Sequence, residues 1–177
     1  MEENGKGKEY DYFTGKLEFE GEYLNGKRNG KGKEYFIDGK LLFEGEYLIG
    51  NKWNGNGLIK EYDKYGDLIF EGEYLNGKRN GKGKEYDDES KLIFEGEYLN
   101  GERNGKGEEY NYQGKLEFEG EYLNGKRNGK GKLIHPDGKC FIGNFRNGVP
   151  DGEGLYTENG NTLKVLFSKG KFVKIIA

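Results

Sequence analysis

The sequence predicts an all-β chain made of one β-hairpin repeated end to end. A stretch of seventeen residues, FEGEYLNGKRNGKGKEY at Phe70, returns almost letter for letter at Phe19, Phe94 and Phe118, and looser copies open at Phe43 and Phe141. The openings are 24, 27, 24, 24 and 23 residues apart, a period that marks a repeat array. Inside each copy apolar residues and glycines alternate with charged ones at a period of two, the pattern of a strand with one apolar face.

Read without the repeat, 32% hydrophobic and 34% charged residues with 33 glycines in 177 residues would suit a disordered chain. The repeat overrides that reading, because each unit has only to cover its neighbour. The period runs from end to end, so residues 1–177 are expected to form a single array: a partial repeat at 1–18, six repeats over 19–162 and a divergent cap at 163–177. A formal charge of −3 argues against a nucleic-acid partner. Cys140 is the one cysteine, which excludes a disulfide within the chain and points to a cytoplasmic location. No apolar run approaches the roughly 18 residues of a membrane helix, and MEENGKGKEY lacks the apolar centre of a signal peptide.

Taken in order, NGKGKEY at 4–10 matches the second half of the unit, so the array starts in mid-repeat with an uncovered strand edge. In the first full unit Leu17, Phe19, Gly21 and Tyr23 alternate with Glu18, Glu20 and Glu22, which predicts a strand. Asn25-Gly26 and Asn29-Gly30 are turn chemistry, since both residue types tolerate positive φ. Gly30, Gly32 and Glu34 then alternate with Lys31, Lys33 and Tyr35, predicting a second, shorter strand and hence a hairpin. Connectors such as FIDGK serve as return turns, and Pro136 suits one because it cannot donate a ladder hydrogen bond. The second unit is stretched around Trp53 and Leu58-Ile59, where a bulge is expected. Past Phe141 the copies decay: Leu163, Val165, Phe167 and Gly170 take the places of Phe, Gly, Tyr and Gly, and KFVKIIA closes the array as a cap.

The spacing Phe19, Gly21, Tyr23, Gly26, Gly30, Gly32, Gly39 resembles the MORN repeat (membrane occupation and recognition nexus), and the likeness covers nearly the whole chain. Ser90 in place of the late glycine, Val165 in place of a strand glycine and the stretched second unit depart from it. The resemblance implies an elongated, twisted, single-layer antiparallel sheet of successive hairpins that serves as a scaffold rather than a catalyst. It also implies, as further settings, cytoskeletal or membrane association and the regulatory array of a larger enzyme.

Two surfaces are candidates. One face carries Phe19, Phe43, Phe70, Phe94, Phe118 and Phe141 with Tyr23, Tyr47, Tyr74, Tyr98, Tyr122 and Phe145. A contiguous apolar row of that size marks a docking surface for a helical or extended segment of a protein partner. The other reading is that the rings lie flat on the glycines and cover one another. The second surface is the hairpin-loop edge, where Lys27, Arg28, Lys78, Arg79, Arg103, Lys126 and Arg127 recur and could meet anionic lipid or phosphoinositide. The favoured reading is a solvated turn whose charges keep the array soluble, with Glu102 interrupting the row. The face opposite the rings, with Glu20/Glu22 and Lys31/Lys33 as its pattern, is expected to be solvated. The uncovered first strand suggests a homodimer joined through an end of the array. No cofactor, metal site or catalytic group is expected: His135 and Cys140 stand alone at a spacing that fits no ligand pattern, and the glycines are not followed by the Gly-Lys-Ser/Thr of a phosphate loop.

Overall fold

The computed structural model describes residues 4–53 and 59–176. They are all strand and turn, arranged as antiparallel sheets of successive hairpins in two compact units that divide after Lys91. The first unit holds β1 (Gly5–Tyr10), β2 (Leu17–Leu24), β3 (Lys27–Tyr35), β4 (Leu41–Leu48), β5 (Asn51–Trp53), β6 (Ile59–Tyr62), β7 (Leu68–Leu75) and β8 (Lys78–Tyr86). The second holds β9 (Leu92–Leu99), β10 (Glu102–Tyr110), β11 (Leu116–Leu123), β12 (Lys126–Ile134), β13 (Cys140–Arg146), β14 (Val149–Glu158), β15 (Asn161–Ser168) and β16 (Lys171–Ile175).

Within each unit neighbouring strands in sequence pair in space, except that β5 and β6 both pair with β4. The bulge expected in that second copy, between Trp53 and Ile59, lies outside the described residues. Its neighbour Ile59 stands in the place that Gly32 holds in the first copy: Gly32 pairs with Gly45, and Ile59 with Gly72.

Register is set by glycine. Gly7, Gly21, Gly32 and Gly45 face one another across β1 to β4, and Gly107, Gly120, Gly131, Gly143 and Gly154 do so across β10 to β14. A one-residue slip would turn the rings of a strand to the wrong face, so the pattern holds the pairing. The hairpin turn is two residues long, with φ of 51° at Asn25 and 69° at Gly26, the all-positive pair of a type I′ turn that matches strand twist.

Asn29-Gly30 is not part of that turn, contrary to the reading from its composition. The second strand starts at Lys27 and runs nine residues, and Asn29, Gly30 and Lys31 form a bulge opposite Glu22. Gly30 takes φ of 86°, and the backbone N–H of Lys31 that the bulge frees donates to the Glu22 carboxylate at 3.0 Å. The same bond joins Lys106 to Glu97 at 2.8 Å and Lys130 to Glu121 at 3.2 Å. The bulge then ties down the next turn: Gly50 N–H donates to the Arg28 carbonyl at 2.7 Å and Ile49 N–H to Asn29 Oδ1 at 3.3 Å. One asparagine-glycine pair therefore makes a turn and the other makes the seat for the following turn.

Candidate docking surface

Each phenylalanine of the repeat lies over bare backbone. A Cβ built on Gly21 or Gly32 would stand 2.5 Å from the Phe19 ring, so only glycine leaves room for it there. Neighbouring copies then interlock edge to face: Phe19 meets Tyr23 at 5.6 Å and Tyr47 at 5.1 Å between ring centroids, and Phe94 meets Tyr122 at 5.2 Å. Such pairs add about 0.5–1.5 kcal/mol beyond the area they bury. A guanidinium closes the stack from above, with Arg28 at 4.2 Å over Phe19, Arg79 at 4.0 Å over Phe70, Arg103 at 4.0 Å over Phe94 and Arg127 at 4.5 Å over Phe118.

Carboxylates from the arginine's own strand or from the strand two away hold those arginines in place. Arg28 bridges Glu9 of β1 and Glu34 of its own strand, the latter at 2.8 Å. Arg79 bridges Glu61 at 3.1 Å and Glu85 at 3.5 Å. In the second unit Arg103 and Arg127 share Glu109. The hydrogen bonds from Arg28 hold the Glu9 carboxyl below its usual range, with Tyr23 Oη donating to the same group at 2.7 Å. Burial pushes the Tyr23, Tyr47 and Tyr122 hydroxyls above their ordinary value, with the facing carboxylates Glu9, Glu34 and Glu109 adding to the shift. Among the described residues the buried hydroxyls of Tyr47 and Tyr122 have no partner in hydrogen-bonding geometry.

This arrangement decides between the two readings of the aromatic row. Phe19, Phe43, Phe70, Phe94 and Phe118 have no exposed surface, Tyr47, Tyr74, Tyr98, Tyr122, Phe141 and Phe145 retain 2–7%, and Tyr23 is half-buried. The rings are the core, covered by one another and by arginine. The basic edge is likewise divided. Arg28, Arg79, Arg103 and Arg127 fold back over the rings into ion pairs, while Lys27, Lys78 and Lys126, the first residues of β3, β8 and β12, remain exposed. Nothing in the one-letter pattern separates the lysine from the arginine beside it, except that the arginine falls on the strand position opposite tyrosine.

The opposite face of the first unit is concave. A trough of 810 Å³ opens over β1 to β6, floored by the backbone of Gly7, Gly21, Gly32 and Gly45. Lys6 and Lys8, Glu20 and Glu22, Lys31 and Lys33, Glu44 and Glu46, and Lys60 line it strand by strand. Lys8 pairs with Glu20 at 3.0 Å and Lys33 with Glu44 at 3.3 Å, exposed bridges that solvent and salt screen. Tyr35 donates to Glu20 at 2.6 Å, and its own hydroxyl is pushed up to about 12, by burial first and this carboxylate second. Sequence reasoning placed these charges on a solvated face and missed the trough, because the direction of curl is not written in the alternation.

A covered aromatic core on one side and a charge-lined concavity on the other define a repeat protein built to present surface. Among the described residues no cluster of three or more His, Cys, Asp or Glu could hold a metal ion. The chain belongs to the MORN-repeat family: the MORN repeat model matches residues 19–40, 70–90, 94–115, 118–140 and 141–162. The stretched copy opening at Phe43 falls between those matches. The repeat is a non-catalytic module of protein and membrane interaction. Comparison with curated proteins finds no match.

Proposed function

We propose that this chain is a non-catalytic scaffold that docks a segment of a protein partner in the concave face of its first unit. The observation that carries the reading is the trough itself. Its charges are held by exposed ion pairs and by single hydrogen bonds to Glu20 and Glu22, over a floor of strand backbone that a partner can approach between the charged rows. The aromatic row supports the trough from behind instead of receiving the partner. The arginines of the basic edge are committed to that support, which leaves Lys27, Lys78 and Lys126 for any anionic surface, with Glu102 in the place of a lysine beside Arg103, and favours a protein partner over lipid.

A photo-crosslinking side chain placed at Glu20, in the trough, and separately at Ile37, in an exposed return turn, tests the reading in cells. Discrete protein adducts at Glu20 that vanish when Lys31→Glu and Lys33→Glu are added are the expected result. Adducts confined to Ile37, or adducts at Glu20 indifferent to those substitutions, would overturn it.

A further inference from the structure

The geometry points to an α-helical occupant for this trough, one whose exposed face alternates acidic and basic side chains every three or four residues and which lies across the strands. The inference rests on the docking reading above and adds the chemistry of the partner.

On the concave face β1 to β4 and β6 each present a single sign. Lysine lines β1, glutamate β2, lysine β3, glutamate β4 and lysine β6; β7 follows with Glu71 and Glu73, and β8 with Lys82 and Lys84. The stripes are two residues wide, about 7 Å along the strand, except on β6, which contributes Lys60 alone; with strands about 4.8 Å apart the same sign returns every ~9.6 Å across them.

An extended segment crossing the stripes has side chains on one face every ~6.6 Å, out of step with both spacings. A helix rises about 1.5 Å per residue, so like charges seven residues apart are about 10.5 Å from one another, and a tilt of roughly 24° brings that repeat onto 9.6 Å. The opposite charge half a repeat away falls at i+3 or i+4, on the same helix face. The trough volume of 810 Å³ accepts about two fully sunk turns of a helix ~10 Å across, or about four half-sunk.

Charges remain for such a partner. Among the described residues Lys6, Lys31 and Lys60 on the basic stripes and Glu46 on an acidic one make no ion pair within the protein. Docking therefore adds opposite charges without first breaking all the existing bridges, and the match of stripe to stripe selects register more than affinity.

Fluorescence anisotropy with two labelled alanine-based helical peptides of about three heptads tests this. Both have the same composition and use heptad positions a and d. One carries Glu at every a and Lys at every d; the other gathers its glutamates in the first half and its lysines in the second. The full chain is expected to bind the alternating peptide at least about tenfold more tightly, with binding weakening as salt screens the charges. The preference should be lost in Lys31→Glu, Lys33→Glu, and independently in Glu44→Lys, Glu46→Lys, with the circular dichroism of both variants unchanged. Equal binding of the two peptides that is still lost in the variants would overturn the stripe match while leaving the trough as a docking site. No binding of the alternating peptide, beside partner adducts at Glu20 in cells, would overturn the helical occupant alone.

Discussion

The two faces of the first unit are made by alternate residues of the same strands, and they are held by different physics. On one face Phe19 is fully buried between glycine backbone, two tyrosine edges and the Arg28 guanidinium. On the other, one residue along β2, Glu20 meets Lys8 and Tyr35 in the open. The first face gains from area removed from water and from close packing; the second gains little, since its ion pairs are exposed and screened. A thin sheet can thus place nearly all its stability on one side and leave the other free for recognition.

Breaking the dry side should show the largest effect. Phe19→Ala is expected to destabilise the protein by about 3–5 kcal/mol, read as a fall in the urea midpoint, because it opens a cavity and uncovers Arg28. Gly32→Ala comes next, at about 1–3 kcal/mol, since its Cβ would sit 2.5 Å from the Phe19 ring and 3.1 Å from Tyr47. The turn opposite gives a gain: Ile49 takes φ of 50° where other copies have asparagine, and Ile49→Asn should stabilise the protein by about 1 kcal/mol, read as a rise in the urea midpoint, as that backbone strain is relieved.

The tyrosines sharpen the comparison within the covered face. Tyr23→Phe removes a donor to Glu9 and should cost about 1 kcal/mol, whereas Tyr122→Phe removes a buried hydroxyl without a well-formed bond and should be neutral or slightly stabilising. Smallest of all, Lys33→Ala on the concave face should change the stability by less than about 0.5 kcal/mol. A loss there comparable to that at Phe19 would show that the charged stripes hold the sheet together.

Much of this was legible in the residues. The period-two alternation predicted the strands, Asn25-Gly26 the turn, and the glycines beside Phe19 the room for its ring. Asn29-Gly30 misled, because a bulge and a turn ask the same thing of a glycine, a positive φ; only the pairing of Arg28 with Tyr23 shows that the strand has already begun. The likeness to its repeats also left open whether the aromatic row faces water, since a ring's cover comes from elsewhere in the chain. Glu9 reaches Arg28 from nineteen residues away, and Tyr47 reaches Phe19 from the next hairpin.

By itself, then, the sequence determined the repeat, the strands, the face to which each side chain belongs and the family. These follow from local periodicity and from the steric demands of glycine and asparagine, which act within a few residues. Tertiary structure alone decided that the arginines close over the rings and that the glutamate and lysine rows line a trough. The first depends on strand register, which brings Glu9 and Glu34 to different nitrogens of the Arg28 guanidinium. The second depends on the curl that the strands and their bulges build up together, which no single repeat contains.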